Sequence, residues 1–144
     1  MVEVHIVVGA ALIALNFAAL AVGATAWFRR QPSIPFWYLL RAAQAAVVVQ
    51  ALLGGLLVFT GHEPSDKLHY LYGILPLFVS FIAEGARGGA ANRELGELDF
   101  EALPGERQEA VALAIVRREM GIMTIGCGVI FALAIRAAMT SGAF

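Results

Sequence analysis

Long apolar runs separated by short polar links divide this chain of 144 residues. Four runs, near 4–28, 35–60, 67–86 and 119–140, reach the roughly 20 residues that a helix needs to cross a bilayer. Short links make consecutive helices antiparallel neighbours. The pattern therefore predicts an all-α integral membrane protein, an up-down-up-down bundle of four transmembrane helices in a lipid bilayer.

The third link is the sizeable polar part of the chain. We predict a cytoplasmic loop over 87–105, then a helix over 106–140 whose last part, 119–140, lies in the membrane. The whole chain, 1–144, is predicted to form one domain. The sequence assigns no role to 87–118, which either extends the fourth helix into the cytoplasm or docks a partner.

Composition supports the membrane assignment, since hydrophobic residues make up 60% of the chain and charged residues only 15%. The predicted spans divide the basic residues unequally between the two sides of the membrane. By the positive-inside rule the larger group is cytoplasmic, so both termini and all three histidines are predicted to be extracytoplasmic, in a bacterial plasma membrane. The larger group is Arg29, Arg30, Arg41, Arg87, Arg93, Arg107, Arg117 and Arg118, and the smaller is Lys67 and Arg136.

Two classes of chemistry are excluded by composition. The single cysteine, Cys127, lies inside the fourth apolar run, so neither an intrachain disulfide nor a thiolate metal cluster is possible. No basic patch of the kind that binds nucleic acid is present in the sequence, so we expect no nucleic-acid partner.

A histidine followed one helical turn later by a glycine occurs twice, in VHIVVG (4–9) and LHYLYG (68–73). The first and third helices lie diagonally in such a bundle and descend from the same surface, so His5 and His69 should face each other at similar depth. Two imidazoles can bind a heme iron from opposite faces. A glycine beside each ring, Gly9 and Gly73, leaves room for the macrocycle. The pattern suits a bis-histidine heme with His5 and His69 as metal ligands.

Other interpretations of the histidines remain open at this point. Each could be an interfacial residue whose polar tip reaches water. His62, in the link before the third helix, allows other ligand pairs, and the three histidines together could bind copper.

The charged residues near both ends of the bundle also have two possible roles. Lys67 and Arg136 could pair with heme propionates, or could extend to the interface without a partner. Arg41 and Glu84 lie inside the predicted spans near the cytoplasmic side. We interpret them as an ion pair in preference to a proton or quinone site.

The run QALLGGLLVFTGHEPSDKLH, residues 50–69, resembles a segment of heme A synthase. In that family a Q-x-x-L-G-G-x-x-V pattern ends one membrane helix, and a short outer link leads to a heme-ligand histidine. The matching residues here are Gln50, Leu53, Gly54, Gly55, Val58 and His69. An earlier histidine in the family resembles His5, and a basic turn follows it, as at Arg29-Arg30.

The resemblance covers the first three helices, about residues 3–87, and compares the chain with one four-helix half of a family whose members have eight helices. It implies that His5 and His69 are the axial ligands of a b-type heme. The chain departs from the family at Ile6, where the family has arginine, and at Glu3, which does not match the spacing of the catalytic glutamate. An outer-loop cysteine pair is also missing from the sequence. Oxidation of a heme methyl group is therefore not expected.

These observations predict a small cytochrome-like membrane protein for electron transfer or heme handling, with no catalytic residue assigned and no stand-alone enzyme expected. One heme at one face cannot carry electrons across a core of roughly 30 Å, so a redox partner or a homodimer is implied. Two alternatives are an accessory subunit of a membrane respiratory complex and a single-bundle enzyme similar to heme A synthase.

Overall fold

The computed structural model describes residues 1–141, so positions 142–144 of the predicted single domain lie outside the described residues. The chain forms five helices and no strand within 1–141. They are α1 (Val2–Phe28), α2 (Ile34–Phe59), α3 (Leu68–Gly88), α4 (Ala90–Leu95) and α5 (Gly105–Met139).

The four long helices form a bundle in which α1 packs between α2 and α5, and α3 packs mainly against α5. Helices α1 and α3 therefore lie on a diagonal. His5, His69 and Ala137 meet at one end, which we call the histidine end. Arg41 and Glu84 meet at the other, the arginine end. Since the beginning of one helix meets the end of its neighbour, the bundle runs up-down-up-down, and the predicted fold class is confirmed.

All four long helices are long and apolar enough to cross a membrane. Large apolar side chains point outward along them, including Val7 on α1, Leu52 on α2 and Ile82 on α3, each about two-thirds or more exposed. Outward apolar side chains are typical of helices that contact lipid tails. The chain is thus a membrane protein whose outer surface is suited to a bilayer.

Local sequence explains where the helices begin and end. The Ser33 hydroxyl accepts a hydrogen bond from the Phe36 amide at the start of α2, where Pro35 lies in the first turn. Helix α3 continues through Pro76. The short α4 lies in the segment predicted as a loop, and Glu94 on it pairs with Arg118 of α5.

Two apolar clusters fill the interior, and small residues bring the helices close together. Phe36 and Met120 are fully buried toward the arginine end, while Leu12 and Ile130 are buried toward the histidine end. Gly23 of α1 permits the closest approach, since a Cβ placed on it would lie 2.6 Å from the Phe36 ring. Close packing through small residues is the usual way membrane helices associate.

Candidate functional site: the histidine pair

The rings of His5 and His69 lie next to each other at the histidine end. Their centroids are 6.1 Å apart and their planes are inclined at 65°. Both side chains are half-buried, and each projects from the first turns of its helix. The predicted proximity of the two histidines is confirmed, while metal binding by them stays a prediction.

His69 is held by the last turns of α5. Its Nδ1 lies 2.8 Å from the carbonyl oxygen of Ala137. A carbonyl only accepts hydrogen bonds, so Nδ1 must carry the hydrogen and donate it. In a neutral imidazole the lone pair is then on Nε2, the arrangement that a backbone carbonyl imposes on metal-binding histidines. His69 is therefore oriented with one nitrogen available as a ligand.

His5 is held by α2. Its Nε2 lies 3.2 Å from Nε2 of Gln50. The other ring nitrogen, Nδ1, and the amide oxygen of Gln50 are buried, and neither has a hydrogen-bond partner among residues 1–141. Whichever way the amide is turned, polar atoms beside His5 stay unsatisfied, at a cost of about 1–3 kcal/mol each. The hydrogen bonding around His5 is therefore incomplete, whereas that of His69 to α5 is well defined.

The glycines near the pair have different neighbours. A Cβ placed on Gly9 would lie 3.0 Å from Nε2 of Gln50, so that amide fills the space predicted to be open beside His5. Gly54 of α2 backs the His5 ring, because a Cβ there would lie 3.3 Å from Cε1. A Cβ on Gly73 would meet no atom of the described chain within 4 Å. Open space is thus found at Gly73 but not at Gly9.

Other candidates lie around the pair without joining it. The Arg136 guanidinium lies over the Tyr72 ring, 5.5 Å from its centroid. Lys67 precedes α3 and forms no ion pair with residues 1–141. His62 is exposed, with Nδ1 3.2 Å from the Thr60 hydroxyl. No group of three or more His, Cys, Asp or Glu suited to a metal forms within the described residues, so the pair offers two imidazole ligands.

A second polar cluster lies at the arginine end. Glu84 accepts hydrogen bonds from Arg41 at 2.5 Å, from Gln44 at 2.8 Å and from Arg87 at 2.8 Å. Arg87 also lies 3.6 Å from Glu119. Two cations therefore face two carboxylates, with each charge compensated. The predicted Arg41–Glu84 ion pair is confirmed. Through it and the Arg87–Glu119 pair, the cluster connects α3 to both α2 and α5.

Sequence reasoning did not identify the hydrogen-bond partners of the two histidines, Gln50 and the Ala137 carbonyl. Gln50 is the lone polar residue of α2 between Gln44 and Thr60, and a single amide in an apolar helix signals an internal hydrogen bond. That signal does not say which side chain the amide meets. Ala137 contributes a backbone carbonyl, for which the sequence carries no signal.

The geometry therefore supplies a pair of imidazoles at one end of a membrane bundle, with the proton on one of them fixed by a carbonyl. No family model, curated protein or solved structure matches this chain, so a proposal for its function depends on that geometry and on its chemistry.

Proposed function

We propose that the chain is a small membrane cytochrome that binds one b-type heme between His5 and His69. The observation that carries the proposal is the hydrogen bond from Nδ1 of His69 to the Ala137 carbonyl. It leaves the Nε2 lone pair of His69 free beside the His5 ring, and a lone pair on Nε2 is what an axial heme ligand needs.

The spacing of the rings is compatible with a shared metal. Two imidazoles on opposite sides of one ion, with metal–nitrogen distances of about 2 Å, have ring centres about 6 Å apart. The observed separation is 6.1 Å. The open side of Gly73 could accept one edge of the macrocycle. The Gln50 oxygen has no partner where it lies beside His5, which favours a second position for that side chain, since buried polar atoms are nearly always paired.

Gln50 is the residue that must change position. Its amide contacts Nε2 of His5 and fills the space beside Gly9. Turning the Gln50 side chain away would free His5 as the second ligand and would open the space above Gly9. The proposal thus assigns ligand roles to His5 and His69 and a gating role to Gln50.

When bound, the heme supplies a one-electron couple. The chain's own residues hold the ligands in place and offer cations to the propionates. Arg136 and Lys67 lie toward the same end as His69 and are the candidates for that contact. The excess of arginines at the opposite end favours an extracytoplasmic histidine end. A redox partner or second copy at that face would take or deliver the electron.

The test is reconstitution of the detergent-purified protein with hemin, read by the reduced-minus-oxidised absorption spectrum. We expect a six-coordinate b-type spectrum that becomes five-coordinate, or is lost, in both His5→Ala and His69→Ala. The matched control is His62→Ala, whose ring is exposed and bonded to Thr60, and which should keep the spectrum. A protein that stays colourless with hemin, or three variants that behave alike, would contradict the proposal.

A second function, that of an accessory subunit, is favoured by one observation on α2. Ala51 and Gly55 form a pair of small residues four positions apart, and a Cβ on Gly55 would meet nothing within 4 Å in the described chain. Such pairs let a further membrane helix approach closely. If this surface is the functional one, Gly55→Leu should release the protein from a larger complex in native gels, and His69→Ala should not.

A further inference from the structure

A groove of about 390 Å³ runs along α1 toward the turn that joins it to α2, at the arginine end. Its walls change character along its length. Ala21 and Val22 line the part that lies within the span, and Arg29, Gln31 and Ser33 line the part at the turn. A groove that is apolar within the membrane and polar at its surface matches the two parts of a phospholipid.

A second depression adjoins the groove, since Ala26, Gln31 and Pro32 line both. It is bounded by Arg30 from the end of α1 and by Arg117 from α5. Three arginines, Arg29 and Arg30 in the turn and Arg117 on α5, therefore line the two depressions beside this turn. All three side chains are exposed, and none pairs with a carboxylate of residues 1–141.

The unpaired state of these arginines contrasts with their neighbours. Arg41, Arg87 and Arg118 each have a carboxylate partner at the same end of the bundle. Unpaired arginines clustered at a membrane surface indicate an anionic ligand, because guanidinium groups bind phosphate through paired hydrogen bonds.

The backbone of Arg30 gives an independent observation. Its φ is 57°, a left-handed conformation for a residue other than glycine. The Arg30 amide bonds to the Trp27 carbonyl and the Gln31 amide to the Ala26 carbonyl, the two bonds of a helix end that usually has glycine at this position. An arginine here carries a backbone strain that glycine would avoid. Its presence is explained if the side chain is needed in the depression that it lines.

We infer that this turn binds the phosphate headgroup of an anionic phospholipid, with Arg29, Arg30 and Arg117 as its cations and an acyl chain along Ala21 and Val22. The lipid is favoured over a soluble phosphate compound because the groove continues into the apolar part of α1, where a soluble anion would gain nothing. The site is separate from the histidine pair and does not depend on heme.

The experiment is a native mass spectrometry titration of the detergent-purified chain with phosphatidylglycerol and, separately, with phosphatidylcholine. We expect phosphatidylglycerol to bind more tightly. Arg30→Gln and Arg117→Gln should each weaken it about five-fold, the change expected from one cation near a lipid surface. The matched control is Arg107→Gln, which removes the same charge from an exposed, unpaired arginine ten residues before Arg117 on α5 and should leave the affinity unchanged.

Arg30→Gly separates the lipid site from folding. Glycine suits the left-handed backbone, so the lipid-free melting temperature in detergent should stay the same or rise, while the rise caused by phosphatidylglycerol should shrink. Three outcomes would overturn the inference. They are equal binding of the two lipids, an equal loss in Arg107→Gln, and equal stabilisation by inorganic phosphate, which would identify a soluble anion as the ligand.

Discussion

Nε2 of Gln50 lies 3.2 Å from Nε2 of His5, so an amide of α2 occupies the ring nitrogen that would otherwise face the space above Gly9. The same amide leaves its oxygen without a partner. The Gln50 amide is therefore only partly hydrogen-bonded. It also blocks Nε2 of His5 from binding a ligand.

Removing the Gln50 side chain should strengthen hemin binding. In Gln50→Ala no hydrogen bond has to break before His5 becomes a ligand, and a neutral hydrogen bond contributes about 1 kcal/mol, or roughly five-fold in affinity. A hemin titration followed by absorbance measures the change. Gln50→Leu is the control, since it removes the polar atoms but keeps a side chain in the space. An affinity that falls in Gln50→Ala would show that Gln50 supports the heme and does not block it.

Gly73→Ala should lower hemin affinity without harming the fold. The added methyl meets no atom of the described chain within 4 Å, and alanine is favoured over glycine in a helix by about 1 kcal/mol. The melting temperature without heme should therefore hold or rise. Affinity for hemin should fall at least about ten-fold if the macrocycle uses that space, a loss of about 1.4 kcal/mol.

The control for Gly73→Ala is Gly55→Ala, which adds the same methyl at another open position. Hemin affinities that change equally in both variants would mean that Gly73 does not border the heme. The melting temperatures of the two variants, recorded in the same detergent, show whether the comparison is free of folding effects.

Glu84→Gln should destabilise the arginine end. The neutral amide cannot balance Arg41 and Arg87, which both donate to the carboxylate, and hydrogen bonds to charged groups contribute about 1.5–3 kcal/mol. Thermal unfolding in detergent measures the effect. Glu94→Gln is the control, because its single ion pair with Arg118 is partly exposed and should contribute under about 1 kcal/mol. Equal shifts in the two variants would argue against a structural role for Glu84.

Gly23→Ala should be the most damaging of the glycine substitutions. Its methyl would overlap the Thr124 hydroxyl and lie 2.6 Å from the buried ring of Phe36. Overpacking of this kind costs about 1–3 kcal/mol. Gly85→Ala, where a Cβ meets no described atom within 4 Å, is the matched control. If both variants melt at the temperature of the original chain, α1 and α5 are not packed as closely as the structure has them.

The bundle could be predicted from the sequence because its helices coincide with apolar runs. Helix α2, for example, was expected over 35–60 and covers Ile34–Phe59. The facing of His5 and His69 followed from helical periodicity and antiparallel order alone. Helix α4 was not expected, since six residues following two glycines have little helical preference of their own, and a contact between Glu94 and Arg118 supports them.

The parts of the site that escaped prediction depend on how the helices are rotated about their axes. Helical periodicity places Gln50 on one face of α2, but whether that face meets His5, His69 or neither is decided by packing. The same applies to Gly9, whose neighbour is a side chain from another helix. A backbone acceptor such as the Ala137 carbonyl is identical in every residue, so nothing in the sequence distinguishes it.

Helix α5 has 35 residues and no proline, so at 1.5 Å per residue it is a rod of about 52 Å, against a hydrocarbon core of about 30 Å. Its first turns must therefore extend beyond the membrane into water, while the Ala137 carbonyl in its last turns accepts a hydrogen bond from His69. A rigid rod pivoting within the bilayer moves both of its ends at once. A bound protein or a thinner membrane that tilts the aqueous end would therefore also move the Ala137 carbonyl, which accepts the hydrogen bond from His69.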